Sequence, residues 1–196
     1  MRKVTGMLES FPDCPLVTLP VGPFHADWHD PELSKPGSYA SLLMRFTEKV
    51  SRLIQVVASG GRSLALEILP YSFLGGTSGF LLVAEAVGSQ RLGYNFDTGH
   101  AWACKEEPTL IPLKLGRWIL GTHLCDNLGD TNLSLRPGTG SIAWKQVLEN
   151  LLASGYRGSL DIEIRCPANT LEAEYSSALS YIRSVLPSQA PYEIHT

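Results

Sequence analysis

The feature that most restricts the fold of this sequence is a set of four short apolar runs, each carrying a side chain able to bind a metal ion. A short apolar run bounded by turn residues is typical of a strand buried on both faces of a parallel sheet. Because the carboxyl ends of parallel strands meet at one edge, the four side chains predict a single site in a parallel barrel, or in a section of one. These side chains are Glu67, Asp97, His123 and Glu163.

The clearest of these runs begins at Leu92 and ends in Asp97, and a Thr-Gly turn then leads to His100. An aspartate before Thr-Gly is also a common helix N-cap. Glu67 and Glu163 are harder to explain as structural residues, because a carboxylate inside an apolar run needs a metal, a cation or a raised pKa. The set as a whole therefore favours a metal site over four separate structural roles.

Strand and helix patterns alternate along the chain, which predicts an α/β fold with a parallel sheet. We predict a short helix or turn in 105–117, a loose tail at 187–196, and a long loop that holds His25 and His29 at the surface. An eight-stranded barrel uses about 250 residues, so five βα units leave this chain about three units short. The predicted strands are 16–21, 63–69, 91–97, 118–124 and 159–164, and the predicted helices are 39–59, 75–87, 142–153 and 171–186.

Composition narrows the partners of the protein. The chain has 196 residues, of which 44% are hydrophobic and 18% charged, an ordinary globular composition that predicts one domain. A formal charge of −3 disfavours a nucleic-acid partner, which selects for basic patches. No run approaches the roughly 18 apolar residues of a membrane span, so we expect no membrane partner. Four isolated cysteines, without a CxxC pair or a secretory leader, predict reduced thiols in a cytoplasmic protein.

Five short motifs occur at spacings that fit successive βα units. They are Leu-Ala-Leu-Glu67, Phe-Asp97-Thr-Gly-His100, Thr-His123-Leu-Cys-Asp126-Asn, Arg136-Pro-Gly-Thr-Gly140 and Leu-Asp-Ile-Glu163. Each motif is weak alone, but as an ordered set they resemble the xylose isomerase-like TIM barrel superfamily. Within it, the resemblance is to the sugar phosphate isomerase/epimerase family, a group that also includes the endonuclease IV-type enzymes.

The resemblance implies a partial (β/α)8 TIM barrel. Residues 1–196 would form a single domain, truncated at its N-terminal side, whose five parallel βα units correspond to strands 4 to 8. An open section of a barrel has two exposed sheet edges, and unpaired edges favour association with other strands. We therefore expect the chain to form a homo-oligomer that covers the open edges, to pair with a missing half, or to be unstable.

Carried over by motif, the resemblance implies one divalent metal bound by Glu67, Asp97, His123 and Glu163. Three carboxylates and one imidazole suit Mn²⁺ or Mg²⁺, with Co²⁺ and Zn²⁺ as alternatives. The implied reaction is isomerisation or epimerisation of a small sugar or sugar phosphate, by proton abstraction and a metal-stabilised enediolate. Glu67 and Glu163 are implied as the catalytic acid and base.

Residues outside the four ligands are predicted to contact the substrate. The resemblance implies that His100 holds a substrate oxygen. Asp126 is expected to support His123 or to contact a hydroxyl group, and Arg136 or Arg165 to meet a phosphate or carboxylate.

Two other interpretations stay open. One is a non-catalytic, barrel-derived module that binds a metal, a sugar or a partner without turnover, or an inactive fragment. The weaker one is an endonuclease IV-like nuclease. The trinuclear nucleases of the group have an Asp-x-His motif where this chain has Asn132-Leu133-Ser134, so two ligands of that larger cluster are absent.

Overall fold

A computed structural model of the chain describes residues 6, 8–22 and 35–188, together with a short strand at 194–195. The expected surface loop with His25 and His29 lies outside these residues. In the described part, strands and helices alternate as the sequence predicts. The strands are β1 Leu16–Val21, β2 Ser63–Ile68, β3 Leu92–Asp97, β4 Ile119–His123, β5 Leu160–Asp161 and β6 Ile194–His195, and the α-helices are α1 Ser38–Ser59, α2 Thr77–Val87, α3 Thr98–Ala103, α4 Ile111–Leu115, α5 Trp144–Ala153 and α6 Leu171–Val185.

The strands form a parallel sheet in chain order. β1, β2, β3 and β4 are neighbours in one sheet, and every pair of adjacent strands is parallel. A parallel bridge between Leu124 and Ile162 connects β4 to the β5 segment, and β5 pairs with β6. Parallel strands in chain order with a helix between them are the repeating unit of the TIM barrel. The predicted α/β class and the partial barrel are therefore confirmed.

The two faces of the strands have different roles because successive side chains of a strand point to opposite sides. Tyr94 of β3 packs edge-to-face on Phe80 of α2, with ring centroids 5.0 Å apart, so this face of β3 is turned toward the helices. Asn95 and Asp97 therefore point the other way, to the interior of the barrel section. Both of these polar side chains are buried there.

The helices bury one apolar stripe each. α1 places Val50, Ile54 and Val57 in the core, as its spacing of three and four residues predicts, and it ends at Gly60. α5 buries a similar stripe of residues. In the ambiguous segment 105–117, the short predicted helix is present as α4. No helix in the described part of the chain combines the length and apolar character that crossing a membrane requires.

The end of the sheet differs from the prediction in two places. The predicted strand 159–164 is regular only over β5, although Ile162 and the backbone N–H of Glu163 still pair with Leu124. Beyond them, the backbone N–H of Arg165 bonds the carbonyl of Ser134 at 2.7 Å. The prediction of a loose tail at 187–196 is wrong for residues 194–195. These residues form β6, which pairs with the outer edge of β5 and thereby uses backbone groups that an edge strand leaves free.

A buried arginine ties the N-terminal segment to the sheet. Arg62, at the start of β2, is only 8% exposed, and its guanidinium donates to main-chain carbonyls. The acceptors include Leu8 and Phe11, each at 2.9 Å, and Cys14 at 3.1 Å. These charge-assisted bonds hold the residues before β1 in place.

Candidate metal centre

The four side chains singled out in the sequence meet at the carboxyl ends of the strands. Glu67 lies on β2, Asp97 ends β3, His123 ends β4 and Glu163 follows β5. One ligand atom from each of the four lies within 4.8 Å of the others. Separate strands thus deliver three carboxylates and one imidazole to a single point.

The nitrogens of this cluster are close to oxygens without being hydrogen-bonded to them. Nδ1 of His123 is 2.6 Å from Oε2 of Glu163 and 3.1 Å from Oε2 of Glu67. Nδ1 of His100 is 3.0 Å from Oε1 of Glu67 and 3.4 Å from Oδ2 of Asp97. Among the described residues, these two nitrogens are the only buried side-chain polar atoms that lack a hydrogen bond of acceptable geometry. Atoms that are close but not aimed at one another are what convergence on a shared cation produces.

The electrostatics of the cluster favour charged side chains. Burial opposes a charge on His123, but the carboxylates of Glu163 and Glu67 outweigh it and raise the pKa of His123 to about 10. Burial likewise opposes a charge on Glu67, and the two histidines nevertheless lower its pKa to about 2. The contact with His123 lowers the pKa of Glu163 as well. At neutral pH the site therefore offers ionised carboxylates around a protonated imidazole.

Asp97 is both a helix N-cap and a member of the candidate metal site, the two roles between which the sequence did not decide. It is the N-cap of α3, where its Oδ1 accepts from the backbone N–H of His100 at 2.7 Å. The Cys125 thiol also approaches this oxygen, at 3.5 Å. Burial raises the pKa of Asp97 to about 6, although His100 counteracts the effect. The other oxygen, Oδ2, faces Nδ1 of His100.

Two supporting residues were missed in the sequence. Asn95 donates from Nδ2 to Oε2 of Glu67 at 3.2 Å, and Thr98 donates to the carbonyl of Cys125 at 2.6 Å. The signal for Asn95 was available, because a residue two positions before Asp97 on a strand must share its face. No sequence signal indicates the Thr98 contact, which depends on how β4 leaves the sheet.

Asp126 is placed beside the cluster rather than in it. Its fully buried carboxylate accepts from three backbone N–H groups, those of Asn127, Gly138 and Ile142, at 2.9 to 3.2 Å. It also accepts from Nε1 of Trp144 at 2.8 Å. These donors give Asp126 a structural role in holding the loop before α5. Contact with a substrate hydroxyl stays an untested prediction.

The other two predicted substrate residues have different surroundings. His100 lies inside the cluster, with a side chain only 13% exposed. Arg136 lies on the loop after β4 and pairs with Glu174 of α6, from Nε to Oε2 at 3.0 Å. The described contacts thus bring His100 together with the four candidate ligands, whereas they give Arg136 a partner elsewhere.

The donor set fits a divalent metal. Three ionisable carboxylates and one imidazole match the oxygen-rich coordination of Mn²⁺ or Mg²⁺ and also suit Zn²⁺. Nδ1 of His123, which makes no hydrogen bond of acceptable geometry, becomes a ligand atom once the imidazole loses its proton. The residues that would hold the ion are Glu67, Asp97, His123 and Glu163.

Comparison with known proteins places this geometry in a family. Residues 6–185 match the family described as xylose isomerase-like TIM barrel. The uncharacterized protein MJ1311 of Methanocaldococcus jannaschii is 31% identical over 119 residues, which are 58% of this chain and 41% of that protein. The matching segment thus spans less than half of that relative's length.

Two solved structures have the same fold. A D-tagatose 3-epimerase-like protein superposes with a TM-score of 0.74 at 23% identity, covering 93% of this chain and 71% of its own. The IOLI protein, solved with a binding zinc atom, superposes with a TM-score of 0.73 at 15% identity, covering 94% of this chain and 66% of its own. The family match extends over most of the chain, and the parallel strands agree with it, so the chain belongs to the xylose isomerase-like TIM barrel family.

Proposed function

We propose that the protein is a divalent-metal-dependent sugar or sugar-phosphate isomerase or epimerase. The observation that carries this proposal is the convergence of Glu67, Asp97, His123 and Glu163 on one point, with an unpartnered imidazole nitrogen among them. Family membership and a D-tagatose 3-epimerase-like neighbour support the class of reaction. A bound divalent metal would supply Lewis-acid chemistry, which lowers the pKa of a C–H group next to a carbonyl.

Glu67 and Glu163 are suited to move the proton. The neighbouring histidines lower the pKa of both carboxyl groups, so each is ionised at neutral pH and able to accept a proton from carbon. One oxygen of each lies close to Nδ1 of His123, at 3.1 Å for Glu67 and 2.6 Å for Glu163. Two carboxylates approaching from different strands allow removal of a proton on one side of a sugar and its return on the other.

His100 is suited to hold a substrate oxygen. Burial opposes a charge on its imidazole, but Glu67 and Asp97 outweigh that effect and raise its pKa. A protonated imidazole donates hydrogen bonds from both ring nitrogens. We therefore assign His100 the orientation of a substrate hydroxyl or carbonyl oxygen next to Glu67.

Binding without turnover is a second candidate function, because the described residues leave one side of the cluster open. The side chain of Glu163 is 59% exposed, whereas that of Glu67 is 7% exposed. Proton abstraction is most effective in a site that excludes water. A protein that binds metal and sugar but leaves this side open would bind without catalysing exchange.

Nuclease activity is less well supported. Asn132 stands at the first position of the nuclease motif, and its Oδ1 accepts from the backbone N–H and the hydroxyl of Ser134 at 3.3 and 3.4 Å. Neither side chain offers the carboxylate or the imidazole that the nuclease motif supplies at these positions. The described residues thus offer the ligands of one metal and not those of the larger cluster.

The test is solvent deuterium exchange into ketoses, with and without a phosphate group, in the presence of Mn²⁺. We expect deuterium exchange at the carbon next to the carbonyl group, which NMR would detect. Glu163→Gln should abolish it, and Glu172→Gln, which changes an exposed carboxylate on α6, should not. Metal binding without exchange on any ketose would favour the non-catalytic module.

A further inference from the structure

The amide of Asn95 is a buried polar group placed against a candidate ligand. Asn95 is 2% exposed and points from β3 into the barrel section. Its Nδ2 donates to Oε2 of Glu67 at 3.2 Å. A buried amide without a hydrogen-bond partner costs stability. The carboxylate of Glu67 therefore stabilises the buried Asn95 amide, and the amide in turn gives the carboxylate a donor.

The backbone is shaped to aim this amide. The pairing of β3 with β4 shifts between Tyr94 and Asn95, so that Tyr94 faces Ile119 and Asn95 faces Gly121. A register shift of this kind redirects a side chain and is frequent next to active sites.

The glycine opposite gives the amide its space. A Cβ on Gly121 would lie 2.5 Å from Oδ1 of Asn95 and 2.8 Å from Cδ2 of Leu16. Any larger residue at 121 would therefore displace the Asn95 side chain or the β1 side chain across the barrel. The amide position depends on Gly121 on the neighbouring strand.

The two oxygens of Glu67 have different neighbours. Oε2, which accepts from Asn95, also lies 3.1 Å from Nδ1 of His123, the nitrogen that approaches Glu163. Oε1 lies 3.0 Å from Nδ1 of His100 and is not bonded by Asn95. These different neighbours allow the two oxygens to take different tasks, Oε2 toward a metal ion and Oε1 toward a substrate.

We propose that Asn95 is a positioning residue that fixes the rotation of the Glu67 carboxylate. It holds Oε2 on the side of His123 and Glu163, and so leaves Oε1 beside His100 for the substrate. This inference rests on the proposed function, because it assigns the two oxygens of Glu67 to that site. Outer residues that orient ligands typically change metal affinity by about 10- to 100-fold when they are removed.

The test compares Mn²⁺ affinity with folding stability in variants that keep all four ligands. Asn95→Leu keeps a similar side-chain volume but removes the hydrogen-bond donor. Gly121→Ala keeps Asn95 but displaces its amide. We expect both to raise the Kd for Mn²⁺ by about tenfold or more, since this is the effect of losing an orienting partner. Without metal, the Asn95→Leu variant should unfold at a urea concentration close to that at which the parent protein unfolds. Should that variant fold poorly, Asn95→Ala removes the same donor.

Two controls separate the possible results. Thr122→Val removes a buried hydroxyl that donates to the carbonyl of Ser159 and accepts from the backbone N–H of Asp161, contacts that involve none of the four candidate ligands, and should leave Mn²⁺ affinity unchanged. If Asn95→Leu and Gly121→Ala both bind Mn²⁺ as tightly as the parent while Glu163→Gln binds more weakly, the role of Asn95 is overturned and the proposed metal site is retained. Undiminished binding in Glu163→Gln overturns the proposed metal site, and the role of Asn95 falls with it.

Discussion

Nδ1 of His123 and Oε2 of Glu163 lie 2.6 Å apart, although they come from separate strands, β4 and the residues after β5. The same nitrogen has no hydrogen bond of acceptable geometry. A carboxylate this close favours a positive charge at the imidazole, supplied by a proton or by a metal ion. A proton and a metal ion therefore compete for Nδ1 of His123.

Metal affinity should rise with pH. His123 must lose its proton to bind a metal, and the surrounding carboxylates raise its pKa to about 10. Since one proton is displaced, affinity should increase about tenfold per pH unit between pH 6 and 8. Below about pH 6 the dependence should steepen, because Asp97, with a pKa of about 6, must then also be deprotonated.

Isothermal titration calorimetry in buffers of different ionisation enthalpy measures this release directly. About one proton per Mn²⁺ should be released at pH 7. His123→Gln removes the titrating ligand and should bind weakly, with little pH dependence above pH 6. An affinity in the parent protein that is independent of pH between 6 and 8 would contradict the assignment of His123.

Arg62→Ala should destabilise the fold without affecting the site. The buried guanidinium donates to the carbonyls of Leu8, Phe11 and Cys14, all of which would lose a charged partner. Because each such bond contributes about 1.5 to 3 kcal/mol and their effects overlap, we expect a loss of about 3 kcal/mol in urea unfolding. Arg52→Ala, on the exposed side of α1, should change stability by less than about 0.5 kcal/mol. Equal stability of the two variants would refute the anchoring role.

Asp126→Asn should also destabilise the protein. The Asp126 carboxylate accepts from four donors, and an amide offers only one acceptor oxygen in its place. Leaving buried donors unpaired costs about 1 to 3 kcal/mol each, so we expect a loss of about 3 kcal/mol. Asp130→Asn, at a side chain 91% exposed, is the matched control. A fully stable Asp126→Asn variant with a raised KM would instead support the predicted contact with substrate.

Ending the chain at Ser188 should increase self-association. The deletion removes β6, which pairs with Leu160 and Asp161 of β5. An unpaired strand edge is a template for pairing with another chain, so the native mass from light scattering should shift to larger species. Ile194→Pro keeps the full chain length but removes one strand N–H, and should act in the same direction. An unchanged mass distribution in both variants would show that β6 does not protect this edge.

The hydrophobic periodicity of the sequence was sufficient to predict most of the helices and strands. Apolar runs and the three-and-four spacing of α1 locate the elements to within a few residues, because burial on both faces of a strand and on one face of a helix leaves these patterns. Glu67 and Glu163 could be singled out because buried carboxylates are costly. Because the predicted strands were parallel, the carboxyl ends that carry these side chains could be expected to meet at one edge.

Long-range contacts set the limit of what could be predicted. β6 pairs with a strand more than thirty residues earlier, and a two-residue strand has no periodicity of its own. The bonds of Asp126 depend on a loop that folds back over ten or more residues. Asn95 could have been placed on the right face, but its bond to Glu67 depends on the register shift opposite Gly121.

The measurement that tests the central claim most directly is the Mn²⁺ content of the purified chain after equilibrium dialysis, determined together with its native mass. We predict about one ion per chain in the parent protein, with affinity lowered at least tenfold in Glu67→Gln and in Glu163→Gln, as expected for ligands when orienting residues alone cost about 10- to 100-fold. Glu172→Gln should retain the parent affinity. Absence of bound metal, or Glu67→Gln and Glu163→Gln variants that bind as tightly as the parent, would contradict a metal site built from these four strand ends.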